Sequence, residues 1–210
     1  MIVVGFAGLA RGGKTTAALY LHDWCKDHGM NPILYSFAQP MKRAAKRLGL
    51  NKDTDPKKYR ETLQRWGESR RDPNYKPGIT GPDYWVNRVL VELIQVQLSE
   101  QDNYKQMDRF GWHKEFKETV IIFDDMRYIN ELELVETLNG TTVFVDGASR
   151  LTDLDAPWRQ HESEKLAMLY TTGHIPDIFD FYVKNEESES HFKELVEYLA
   201  PAWLDVETMS

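Results

Sequence analysis

Cysteine is almost absent from this chain, with Cys25 the only one in 210 residues. That excludes a disulfide framework and suits a reducing cytoplasm, where a cytoplasmic location is expected. Long apolar runs are missing as well. No window approaches the roughly 20 apolar residues of a membrane-spanning helix, so no membrane partner is expected. Residues 1–6 lack the basic start and cleavage site of a signal peptide. There is no basic excess either: 26 Lys and Arg stand against 33 Asp and Glu, a net charge of −7. Proteins that grip a nucleic-acid backbone usually carry the opposite balance, so no nucleic-acid polymer is expected as partner. No repeat or low-complexity tract is seen. What is there is an ordinary globular composition, 41% hydrophobic, and enough chain for one domain with a sizeable core.

Periodicity lays out the elements. The apolar run 2–7 is too short for a helix and predicts a strand buried on both faces. A helix follows over 14–28, closed by Gly29 and Asn31-Pro32. Residues 33–37 predict a second strand, and 41–48 a helix rich in Lys and Arg that ends at Gly49. Asp55-Pro56 has the cap-then-proline form of a helix start, and Tyr59, Leu63 and Trp66 give that helix one buried face to about residue 70. Residues 72–82 read as a loop. Trp85, Val86, Val89, Leu90, Leu93 and Ile94 then mark a long helix to about residue 101. Residues 102–117, polar with scattered aromatics, give the weakest pattern in the chain. Further strands are predicted over 119–123, 142–145 and 181–183, and further helices over 129–138, 162–169 and 191–199. This alternation implies an α/β fold with a parallel sheet covered by helices on both faces.

The sharpest motif is Gly8-Leu9-Ala10-Arg11-Gly12-Gly13-Lys14-Thr15, which matches G-x-x-x-x-G-K-[ST] between the first strand and first helix. Glycines let the backbone turn tightly so that its N–H groups converge on phosphate oxygens, and the helix adds the positive end of its dipole. ATP phosphates are therefore expected on Gly8, Arg11, Gly12, Gly13, Lys14, Thr15 and Thr16, with Lys14 reaching the β- and γ-phosphates. Mg²⁺ is expected on the Thr15 hydroxyl and on Asp124 or Asp125, which end an apolar strand. The same two carboxylates can instead cap the following helix. The fold expected is of P-loop NTPase type. Its core comprises about 1–38, 118–147 and 175–210, with a helical insert over 39–117 and a lid over 148–172.

Cations beyond the loop bear on an acceptor. On the helix from Pro56, Arg60, Gln64, Gly67 and Arg71 form one polar stripe, suited either to a monophosphate and a base edge or to solvent. Arg70 lies beside it. Lys42 opens the basic helix after the second strand, near the crevice where α/β folds bind ligands. Asp83 and Trp85 begin the long helix; Trp85 can stack on a base or belong to the core. Arg127 lies four residues before Glu131, the spacing of a helical ion pair. Arg150 and Arg159 bracket the irregular segment, which reads as a lid.

Taken in order, several segments resemble the bacteriophage deoxynucleoside monophosphate kinases. They are the phosphate loop, Ser36 to Arg43, Leu63 to Glu68, Asp83 to Val86, Asp125-Met126-Arg127 with Glu131, and His161 to Glu164. The resemblance implies transfer of the ATP γ-phosphoryl to a deoxynucleoside 5′-monophosphate (dNMP). Lys14, Arg127 and Arg150 would then act at the transferred group, and Lys42, Arg60, Gln64, Arg70, Arg71, Asp83 and Trp85 would hold the acceptor. Two departures stand out. The loop reads Gly12-Gly13-Lys14-Thr15-Thr16 rather than the family's frequent Ser-Gly-Lys-Asp-Thr, and the family's glycine after the last strand is absent from Asn185-Glu186-Glu187-Ser188. Rival readings are a P-loop kinase for a dephospho-coenzyme-A-like or phosphomevalonate-like acceptor, or a nucleotide-dependent switch. A homodimer is compatible with the sequence.

Overall fold

The computed structural model describes residues 1–109, 117–147, 167 and 178–206. The chain divides into two compact units, 1–36 with 117–210, and 37–116. The strands are β1 (Ile2–Ala7), β2 (Asn31–Tyr35), β3 (Thr119–Met126), β4 (Thr141–Asp146) and β5 (Phe181–Lys184). The helices are α1 (Lys14–Asp27), α2 (Gln39–Arg47), α3 (Pro56–Arg71), α4 (Tyr84–Arg109), α5 (Ile129–Thr137) and, last in the chain, α6 (Glu189–Trp203). The helix expected over 162–169 and the lid expected over 148–172 fall outside the described residues, apart from Ala167.

In the first unit the described strands all pair in parallel, in the order β2-β3-β1-β4-β5. Because β1 and β3 are interior strands, covered on both faces, their sequences are almost continuously apolar. Val4, Phe6, Val120, Ile122 and Val143 pack with Leu21 and Cys25 of α1 and with Val196 and Trp203 of α6. Trp203 meets Phe6 edge-on, with ring centroids 5.5 Å apart. On the other side, α5 packs on β1 and β4 and buries Leu132 and Val135. The second unit is made of α2, α3 and α4 packed pairwise.

Local chemistry accounts for the helix ends. Gly29 (φ 76°) and Gly49 (φ 73°) close α1 and α2 in the left-handed region. There Met30 N–H donates to Cys25 O (2.9 Å) and Leu50 N–H to Ala45 O (3.0 Å), satisfying otherwise orphaned carbonyls. The Asp55 carboxylate caps α3 by accepting from Lys58 N–H at 3.0 Å.

Four expectations are corrected. β2 starts earlier, at Asn31, and stops at Tyr35, short of Ser36 and Phe37. α4 continues to Arg109, because an established helix adds each further residue at little cost and Lys105, Gln106, Met107 and Arg109 are good helix formers. α6 runs through Pro201 to Trp203, whose burial outweighs the backbone hydrogen bond lost at the proline. β3 runs on through Asp124 and Asp125 to Met126.

Candidate nucleotide site

The loop between β1 and α1 is shaped by backbone conformations that side chains resist. Gly8 has φ 139° and Gly13 φ 105°, and Arg11 also lies in the left-handed region at φ 66°. A Cβ on Gly8 would stand 2.3 Å from Val145 O, and one on Gly13 would stand 2.2 Å from Asn185 Nδ2. Gly12 N–H donates to Leu9 O at 3.0 Å, closing the turn. α1 then begins at Lys14, with Gly13 in the capping position and no capping side chain. Its amino-terminal N–H groups and the positive end of its dipole are directed at the loop.

Lys14 is buried, at 6% exposure. Its ammonium donates to Gly8 O (2.7 Å) and Leu9 O (2.8 Å), so the charge is held inside the loop that it would serve. Thr15 is exposed and Thr16 half-buried on the first turn of α1, and Arg11 is exposed at the loop apex.

The two aspartates sit at a β-bulge. β1 pairs with β3 as Gly5↔Phe123 and then Ala7↔Met126, so Phe6 alone spans Asp124 and Asp125. A bulge breaks strict alternation and re-aims side chains, and it occurs where β3 ends beside the strand that enters the phosphate loop. Both carboxylates are half-buried. Asp125 Oδ2 accepts from the Ser36 hydroxyl at 2.8 Å, which ties the end of β2 to the end of β3. Helix capping by Asp124 or Asp125 is not what the structure shows. The cap position of α5 is Tyr128, and the buried Glu131 carboxylate accepts from the N–H groups of Tyr128 (3.2 Å) and Arg127 (2.7 Å). Glu131 thus serves the backbone at the Arg127 turn.

These residues fit a magnesium–nucleotide complex. The close approach at Gly8 and Gly13 leaves a cradle lined by backbone, and Thr15 offers an exposed hydroxyl. The bulge supplies carboxylates of a kind Mg²⁺ accepts while keeping most of its water. Among the described residues no group of three or more His, Cys, Asp or Glu is gathered for a metal.

The acceptor candidates lie in the helical unit. Lys42 and Arg43 are exposed on α2, where Arg43 Nη1 meets Glu92 Oε2 of α4 at 2.8 Å. Burial pushes the Glu92 carboxyl up from its ordinary value. A groove of ≈ 500 Å³ is lined by Gln39, Lys42, Arg43, Lys46, Lys52 and Tyr59, among others. Arg60 and Gln64 are exposed on α3, and Asp83 is exposed before α4. The stripe expected on α3 is divided by packing. Arg71 is half-buried, its Nη1 3.2 Å from where a Cβ on Gly67 would stand. The Arg70 guanidinium lies over the rings of Tyr75 (5.4 Å) and Tyr84 (5.8 Å). Trp85 is buried, and its indole N–H donates to Gly67 O at 3.4 Å. The structure therefore gives Trp85 a core position rather than an exposed ring for stacking. Arg150 and Arg159 lie outside the described residues.

Sequence reading missed Ser36 as an anchor of Asp125, and it missed Asn185. Asn185 is buried, and its amide donates to Gly12 O at 3.0 Å. A polar residue just past an apolar strand was the one local signal for it.

No protein-family model and no curated protein matches the chain. Among solved structures it is similar to shikimate kinase from Acinetobacter baumannii in complex with shikimate, with 13% identity and a TM-score of 0.47 over 98% of this chain and 94% of that one. It is also similar to APE1195, with 15% identity and a TM-score of 0.39 over 96% and 95% of the two chains. Likeness at that level says nothing of substrate or reaction. By its all-parallel strand order, its glycine-built loop between β1 and α1 and its helices on both faces, the sheet unit has a P-loop NTPase-type α/β fold.

Proposed function

We propose that the chain is an ATP- and Mg²⁺-dependent phosphotransferase acting on a small phosphorylated acceptor, a deoxynucleoside 5′-monophosphate by its sequence resemblance. The observation that carries the reading is the buried Lys14 ammonium clasped by Gly8 O and Leu9 O inside a loop whose glycines admit no side chain. A charge held there by two inward-turned carbonyls is matched to a polyphosphate. In this reading Gly8 to Thr16 bind the donor, with Thr15 and Asp124 or Asp125 holding Mg²⁺, which supplies charge neutralisation on the phosphates. Ser36 keeps Asp125 oriented. Glu131 holds the turn that carries Arg127, whose guanidinium is assigned to the transferred group together with Arg150. Lys42, Arg60, Gln64, Arg70, Arg71 and Asp83 of the helical unit are assigned to the acceptor. The cationic groove on α2 favours a phosphorylated acceptor over a neutral one. Phosphoryl transfer to a phosphate oxygen requires little proton removal, so positioning and electrostatics carry the catalysis.

A coupled ADP-release assay with ATP, Mg²⁺ and a panel of dNMPs, NMPs and other phosphorylated acceptors tests this. ADP release stimulated by a nucleoside monophosphate is expected. Stimulation only by a non-nucleotide acceptor replaces the dNMP assignment. Slow hydrolysis that no acceptor stimulates indicates a nucleotide-dependent switch instead.

A further inference from the structure

Gly12 N–H is consumed inside the loop by Leu9 O at 3.0 Å, so it is not presented to a ligand. The next N–H, that of Gly13, makes no hydrogen bond among the described residues. Its direction is set by the plane it shares with the Gly12 carbonyl, because in a trans peptide C=O and N–H point opposite ways. Whatever holds Gly12 O therefore aims Gly13 N–H.

Two groups from the far strands hold Gly12 O. Asn185, immediately after β5, donates its side-chain amide to it at 3.0 Å. Gly147, immediately after β4, approaches so closely that a Cβ there would stand 2.4 Å from Gly12 O. Asn185 is itself fixed, since its own N–H donates to Asp146 O at 2.7 Å and its side chain is buried at 5% exposure. The amide also lies where a Gly13 Cβ would fall, so it packs directly against the residue whose N–H it orients.

We infer that Asn185 is a positioning residue of the phosphate cradle, clamping the Gly12–Gly13 peptide so that Gly13 N–H is presented to the nucleotide phosphates. The inference rests on the nucleotide-binding part of the proposed function and not on the identity of the acceptor. It also gives the segment after β5 a role that its missing glycine left unassigned. An asparagine is suited to the task because it donates to a carbonyl without bringing a charge to an anion site.

The test compares wild type with Asn185→Ala and the isosteric Asn185→Asp, which sets an acceptor oxygen against the Gly12 carbonyl. Mg·ATP and ADP are titrated into each ¹⁵N-labelled protein, with the dissociation constant and the Gly13 amide shift read together and a thermal melt run alongside. Both folded variants are expected to bind ATP and ADP about tenfold more weakly, with a reduced Gly13 response. Wild-type affinity and an unchanged Gly13 response in folded variants would overturn the inference and leave Asn185 as packing alone. If either variant does not fold, Asn185→Ser, which keeps a shorter donor, is held to the same two readouts. A wild-type chain that binds neither nucleotide overturns the cradle and the inference together. Binding without acceptor-stimulated turnover overturns only the kinase assignment.

Discussion

Lys14 combines two properties that normally conflict: it is charged and it is buried. The conflict is resolved locally, by two carbonyls at 2.7 and 2.8 Å that the loop turns inward. Replacing it with methionine keeps the stem and removes the donor. Desolvating the ammonium and its two hydrogen bonds offset each other, so stability should change by no more than about 1–2 kcal/mol. Acceptor-stimulated ADP release should nonetheless fall by at least about 100-fold, as for loss of a group stabilising transition-state charge. A melt and the coupled assay on Lys14→Met check both, and retained turnover would remove Lys14 from the chemistry. The place of this residue, at the junction of a glycine-built loop and α1, was legible in the sequence because its motif is contiguous. Trp85 shows the opposite case. Helical spacing favoured the core while leaving base stacking open, and burial with an indole hydrogen bond to Gly67 O decided for the core.

At the scale of elements, ends were readable where the chemistry is local. Asp55 caps α3, as its Asp-Pro pair suggested, whereas Ser188 caps α6, with His191 N–H donating to Ser188 Oγ at 3.2 Å, and starts that helix two residues before the expected position 191. Replacing either by alanine should cost about 1 kcal/mol and lower the melting temperature by roughly 2–4 °C. The two caps lie in different compact units. Hydrogen exchange should therefore accelerate along α3 in Asp55→Ala while the amides of β1 and β3 keep wild-type rates. Equal acceleration in both would mean that the units open as one. The elements that sequence misjudged were those whose limits are set by neighbours. β3 continues through two aspartates because β1 pairs with it up to Met126. The resulting bulge has no sequence signature of its own. α6 passes Pro201 because Trp203 fills a space under Phe6 and Phe181.

At the scale of the whole molecule, Cys25 reports on the core. It is fully buried on the core-facing side of α1, and burial pushes its thiol up to about 12, so the reactive thiolate is negligible at neutral pH. Native protein should be inert to a thiol-reactive disulfide reagent at pH 8. Denaturant should restore labelling in step with loss of the far-ultraviolet signal. Fast labelling of the native chain would contradict the packing of α1 on the sheet. No described helix is long and apolar enough to cross a membrane, which agrees with the absence of long apolar runs in the sequence.

The sequence by itself determined the glycine-built loop between β1 and α1, the alternation of strands and helices, and most helix ends. Each of these depends on residues within a turn or two of one another, so spacing and residue type suffice. Tertiary structure alone decided the strand order, the bulge at Asp124 and Asp125, the Ser36 anchor 89 positions from Asp125, and the Asn185 clamp 173 positions from Gly12. Those contacts arise from burying the two faces of one sheet, a property of the assembled core that no local stretch of chain encodes.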